Sequence, residues 1–116
     1  MTAETEAEIL ACVRETLADP RGWVKATYRL RSYETGHVAY CLVGAIDHCA
    51  GVGSSGLNTR EEIDRAARIK RIVRQAIKDV QGYKSAIQIE RWNDRRETTH
   101  ADVMAVLERA LALAEV

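Results

Sequence analysis

The sequence predicts a mainly α-helical single domain spanning residues 1–116, a bundle of four to five helices with a small β-hairpin or an extended linker at about residues 23–40. Two observations carry the helical reading and a third limits it. Thr5-Glu8, Thr59-Glu62, Ser85-Gln88 and Thr99-Asp102 each set a hydroxyl three residues ahead of a carboxyl or carboxamide. In such a capping box each side chain satisfies the other residue's orphan backbone N–H at a helix start. Asp102 has the shorter reach, so the last box is the looser form. Apolar residues also recur every three to four positions through most of the chain, the spacing of a one-sided helix. Residues 23–31 abandon that spacing for alternation.

The first helix runs from about Glu6 to Ala18, with Ile9, Val13 and Leu17 on one face and Leu10 and Cys12 flanking them. Asp19-Pro20 ends it, because a residue before Pro avoids the helical region. Glu4, Glu6 and Glu8 crowd its start, where the helix dipole favours negative charge. Val24, Ala26, Tyr28 and Leu30 then alternate with Lys25, Thr27, Arg29 and Arg31, a period of two that suits a half-buried strand. After the Glu34-Thr35-Gly36 turn, residues 37–40 either return as a short partner strand or lead into the second helix, placed at about Val38–Ala50 and closed by Gly51. Gly44 inside that helix costs up to about 1 kcal/mol relative to Ala, which points to close approach of another backbone. Gly51 through Gly56 reads as the most flexible loop; without a Lys-Ser/Thr end or a preceding strand it is no phosphate-binding loop.

The third helix, about Arg60–Val80, has an apolar arc covering more than half its circumference, from Ile63, Ala66 and Ala67 to Ile77 and Val80. Such a helix should be central and packed on both flanks. A short helix follows at about Ala86–Trp92, then the polar turn Asn93-Asp94-Arg95-Arg96-Glu97, then a last helix at about His100–Glu115. The expected core is Ile9, Val13, Leu17, Leu42, Ile46, Ile63, Ile72, Val73, Ile77, Trp92, Val103, Leu107 and Leu111. No internal repeat or domain linker interrupts the pattern.

Seventeen basic and seventeen acidic side chains cancel, which argues against a strongly electropositive nucleic-acid binder. The sum hides polarity: residues 1–22 carry a net charge of −3 and residues 60–78 a net of +4. No apolar run approaches the ~20 residues of a membrane span, and the acidic start is unlike a signal peptide. Three cysteines without close pairing read as reduced thiols, and the whole as a cytoplasmic domain. Arg outnumbers Lys 13 to 4 and Ala occurs 17 times, as in a GC-rich genome.

Four constellations are candidates for chemistry. Cys41 lies at a helix start, where N–H groups can lower a thiol pKa; His100 with Asn93 or Asp94 would serve as base and orienter. Read blandly, Cys41 is a small core residue. The thiols and imidazoles Cys12, His37, Cys41, His48, Cys49 and His100 lack the paired spacing of a zinc site, so no metal or other cofactor is expected. Arg68, Arg71, Arg74 and Lys78 recur at three- to four-residue spacing and could track phosphates, though Asp64 and Asp79 interrupt them and no aromatic interleaves. An acidic partner, including the glutamate-rich first helix of a second subunit, fits the same stripe. Trp92-Asn93-Asp94, with Arg95, is the most distinctive cluster: a helix–turn–helix joint locked by side-chain-to-backbone bonds, or else a polar recognition surface.

Tyr40-Cys41-Leu42-Val43-Gly44-Ala45-Ile46, followed by Trp92-Asn93-Asp94 and Thr99-x-x-x-Val103, resembles a family of small actinobacterial and actinophage proteins of unknown function. That family pairs a Cys-x-x-Gly-Ala helix with a Trp-Asn-Asp turn and a Thr-capped last helix. The resemblance covers about residues 23–114, and Arg95-Arg96-Glu97 departs from the family's Pro-Gly-Arg type of turn. It implies a phage or prophage context and no activity. The functional expectation is a small non-enzymatic interaction or regulatory protein that binds another protein or itself. The competing expectations are a cysteine-dependent hydrolase or transferase using Cys41, His100 and Asp94, and a weak nucleic-acid binder through the third helix.

Overall fold

The computed structural model describes residues 5–53 and 58–115. Five helices and one hairpin follow one another: α1 Glu6–Thr16, a 3-10 turn Pro20–Gly22, β1 Arg29–Arg31, β2 Val38–Tyr40, α2 Leu42–Ala50, α3 Arg60–Gln81, α4 Ile89–Asp94 and α5 His100–Ala114. The chain is mainly α, as its capping and periodicity require. α3 packs along α5, α1 lies against α2 and α5, and α4 closes one end against α2 and α3. Between them sit Ile9, Leu10, Val13 and Leu17, Leu42 and Ile46, Ile69, Val73 and Ile77, Ile89 and Trp92, and Val103, Val106 and Leu107, all essentially without solvent contact. Each such side chain contributes roughly 1.5–3 kcal/mol by leaving water.

The helix starts follow the sequence closely. Thr59 and Glu62 form a complete capping box, and so do Thr99 and Asp102: the Asp102 carboxylate accepts from the Thr99 N–H at 2.9 Å despite its shorter side chain. Thr5 caps α1 through the Glu8 N–H. Ser85-Gln88 forms no box; α4 starts later, with Gln88 as its N-cap and no side-chain cap. Gly51 and Gly82 close α2 and α3 in the left-handed conformation. Of the Gly-rich stretch after α2, Ser54, Ser55 and Gly56 lie outside the described residues; Asn58 holds the Gly53 N–H and carbonyl.

Three expectations are corrected by packing. The third helix is amphipathic rather than buried on both flanks: Ala66, Ile69, Val73, Ala76 and Ile77 form one buried stripe, while Ile63 is 52% exposed and Val80 also reaches solvent. Ile63 therefore leaves the core and Ile72 is half-buried, because the other helices meet α3 along one side only. The hairpin exists, with Arg29 opposite Tyr40 and Arg31 opposite Val38, and Gly36 supplies the positive φ of its turn. Val38–Tyr40 thus belongs to β2, not to the second helix. The alternation of residues 24–31 does not mark a half-buried strand: β1 is exposed at all three residues, while β2 contacts the 3-10 turn.

The third correction concerns the thiols. Cys12 of α1 and Cys49 of α2 form a disulfide, their Cα atoms 5.9 Å apart, within the span such a bond allows. A separation of 37 residues hid the pair. Cys41 is the free, buried one.

Gly44 is buried in α2 because a Cβ there would run into the carbonyl oxygen of Tyr28, which also accepts from the Cys41 N–H at 3.2 Å. This close backbone approach seats the hairpin on α2. Gly44→Ala should destabilise the protein by about 1–3 kcal/mol, the cost of overpacking a site whose neighbour is main chain. Urea melts of the two proteins check this; an unchanged midpoint would show that the hairpin yields freely.

Candidate functional site

The Trp92-Asn93-Asp94 turn is the densest polar knot in the chain. Asn93 is fully buried at the end of α4. Its Oδ1 accepts from the Trp23 indole N–H at 2.7 Å and from the Leu42 N–H at 3.1 Å, while its Nδ2 donates to the Val24 carbonyl at 3.1 Å. Asp94 Oδ1 accepts from Asn93 Nδ2 and from the Ala26 N–H at 2.8 Å. Ala26 is the one non-Gly residue with positive φ among the described residues, and Asp94 holds it there. Lys25 donates to the Arg95 carbonyl, and the Thr98 hydroxyl to that of Trp92. Trp92 itself is core. Trp92 and Asn93 are buried, whereas Asp94 and Arg95 remain exposed; Arg95 bonds Tyr83, stands over its ring and pairs with Glu97 at 3.6 Å.

Cys41 caps α2 and is buried. Burial pushes its thiol pKa up; the N–H groups of Gly44 and Val43 oppose this, and the carboxylates of Asp94 and Glu90 add to it. The result is a protonated thiol accepting the Gly44 N–H at 3.3 Å. His100 directs Nε2 at the Leu17 carbonyl, 2.6 Å away, and its ring lies tilted against Trp23. No hydrogen bond among the described residues joins His100 to Cys41, and Asp94 serves the 24–26 backbone instead.

The basic stripe of α3 is divided. Arg68 pairs with Glu6 of α1 at 3.3 Å, so an acidic first helix does meet α3, within one chain. Arg71, Arg74 and Lys78 have no carboxylate within ion-pair reach among the described residues. Asp79 is held by Arg109 at 3.0 Å and by Gln75, which keep its pKa low. An open cleft of about 360 Å³ lies beside Arg74, bordered by Lys70, Gln88 and Glu90. A second, of about 550 Å³, is lined by Tyr83, Lys84, Gln88 and Arg91, so Gln88 borders both.

Asp47 escaped sequence reasoning. It is the only acid in the apolar helix Leu42–Ala50, three residues from Gly44 on the side facing Tyr28, and that isolation was the available signal. Buried, it accepts from the Tyr28 hydroxyl at 2.6 Å and pairs with Lys70 at 2.9 Å. The Lys70 contact lacks hydrogen-bond alignment, so Coulomb attraction holds it. Burial of the hydroxyl, then its bond to Asp47, raises the Tyr28 pKa well above its ordinary value of 10.

A family of unknown function, DUF6197, matches residues 1–113. The chain belongs to this family. No curated protein and no solved structure matches the sequence. The match covers almost the whole chain, including the Cys-x-x-Gly-Ala and Trp-Asn-Asp segments. Both have structural work: Cys41 and Gly44 seat α2 beneath Tyr28, and Asn93 ties three segments together.

Asn93→Ala should cost about 3 kcal/mol or more, because the indole N–H, the Leu42 N–H and the Val24 carbonyl lose their partner while buried. Chemical denaturation measures it, and a loss under 1 kcal/mol would show that water replaces the amide. Tyr28 gives a pH prediction. Its folded pKa is raised, so its contribution to stability is complete below pH 10 and is lost as pH climbs beyond it. Melts from pH 8 to 11 should decline more steeply for the native protein than for Tyr28→Phe; parallel declines would remove the assignment.

Proposed function

We propose that this domain is a small non-enzymatic interaction module that docks an acidic segment of another protein along α3 and the chain leading into α4. The carrying observation is a run of five basic side chains, Arg71, Arg74, Lys78, Lys84 and Arg91, none with a carboxylate in ion-pair reach among the described residues. Residues 65–91 carry a net charge of +6 in a chain whose total is zero. Three charges at other faces have long-range partners, Glu6 in Arg68, Glu108 in Arg14 and Asp79 in Arg109. Two adjoining clefts give the stripe relief in which a peptide can lie.

A polypeptide suits this face better than nucleic acid. Tyr83, the aromatic beside the clefts, is engaged by Arg95 and is not free to stack on a base. A second copy of this chain is a weaker occupant, since Glu6 of its acidic first helix is already paired. A hydrolase or transferase built on Cys41, His100 and Asp94 draws less support still, given a protonated buried thiol and an imidazole committed to Leu17. An actinobacterial or phage setting is part of the reading, supported by the Cys-x-x-Gly-Ala and Trp-Asn-Asp motifs and the excess of Arg over Lys. No helix among the described residues is long and apolar enough to cross a membrane, but the Cys12–Cys49 disulfide removes the reduced-thiol argument for a cytoplasmic location.

The test is fluorescence anisotropy with a labelled decaglutamate peptide and a labelled oligonucleotide of equal length at low salt. The peptide should bind, weaken as salt rises, and lose at least about tenfold in affinity in Arg71→Glu/Arg74→Glu. Arg60→Glu, at the far end of α3, should leave binding unchanged. Tighter binding of the oligonucleotide, or no binding of either, would overturn the proposal.

A further inference from the structure

We propose that Cys12 and Cys49 form a thiol–disulfide exchange site, opened in the folded protein by an external dithiol and closed again by a disulfide oxidant. It is independent of the docking surface on α3. Four observations converge on it. The bond joins two helices that already pack on each other within one apolar core, so the partners stay adjacent when it opens. Neither cysteine is fully buried, which gives a small thiol access. The Thr16 hydroxyl lies 3.5 Å from Cys49 Sγ while donating to the Cys12 carbonyl at 2.7 Å. It is placed to turn and donate to a thiolate forming on Cys49. Lastly, the loop the bond closes holds the 3-10 turn, the hairpin and most of α2, yet that segment is separately anchored by Asn93, Asp94 and the Asp47–Lys70 ion pair. Opening the bond therefore removes the covalent tie between α1 and α2 without dismantling the fold.

The exchange balances. A thiolate of the dithiol attacks Cys12 Sγ; the bond to Cys49 breaks, and its electron pair leaves on Cys49 Sγ, which then takes a proton. The dithiol's second sulfur attacks the mixed disulfide, releases Cys12 as a thiolate and closes the reagent's own disulfide. Two electrons pass to the protein, and the two protons lost by the reagent end on Cys12 and Cys49. Cys41 takes no part: it is buried, and it lies eight positions before Cys49, about 12 Å along a helix.

The full chain, without denaturant, is equilibrated in buffers of reduced and oxidised dithiothreitol, alkylated and weighed. Two alkylated sites, Cys12 and Cys49, should appear together in a single reversible two-electron transition, with helical circular dichroism retained. Cys41→Ala should shift neither the transition nor the sites. Amide hydrogen exchange in α1 and α2 should quicken by about tenfold on reduction, while α3 and α5 stay protected. Thr16→Val should slow reduction and Thr16→Ser restore it, at an unchanged circular dichroism spectrum. Reduction that requires denaturant, reduction accompanied by loss of helix, or an oxidised chain lacking the 2 Da mass deficit of a disulfide would each overturn the proposal.

Discussion

One buried carboxamide joins segments that are otherwise remote in sequence. Asn93 accepts from Trp23 and Leu42 and donates to Val24, so a single side chain at the end of α4 fixes the chain leaving the 3-10 turn and the first residue of α2. Every residue of β1 is exposed, so the hairpin gains little from apolar burial. Its position rests on this polar anchor, on Asp94 at Ala26, and on the contact between Gly44 and the Tyr28 backbone. A buried amide with every group satisfied is directional in a way that apolar contact is not. The helices pack by volume, whereas the hairpin is held by geometry.

What the sequence made legible was whatever depends on neighbours within a few residues. Thr59-Glu62 and Thr99-Asp102 became caps because their partners are three residues away. Gly44 revealed a close backbone approach because an interior helical Gly needs a reason, although the approaching atom, the Tyr28 carbonyl, could not be read off. Ile63 and Val80 misled because periodicity reports which residues could face a core, and only packing decides how wide that core is. Cys12 and Cys49 misled for a different reason: their pairing is made by helix contact across 37 residues, and no spacing rule reaches that far.

The candidate site divides in the same way. Trp92, Asn93 and Asp94 stood out by residue type, and residue type does not say whether a polar cluster faces inward or outward; Asn93 turned inward and Arg95 was taken by Tyr83 and Glu97. For Arg68, Arg71, Arg74 and Lys78 the stripe was visible, but the subtraction of Arg68 by Glu6 needed α1 in place. The charge polarity of the sequence is therefore partly an internal affair, cancelled between α1 and α3, and the remainder is displaced toward α4.

The outer edge of β1, which pairs with no further strand among the described residues, bears on how copies of this chain meet one another. An open strand normally invites a second strand, and two copies would pair most simply by an antiparallel two-fold through Leu30. That arrangement sets Arg29 of each copy directly against Arg31 of the other, and like charges opposite one another weaken a strand pair. The shortness of β1, three residues, leaves few backbone bonds to offset the repulsion. Leu30 and the fully exposed Tyr33 can thus remain in solvent without turning the hairpin into a seed for edge-to-edge aggregation.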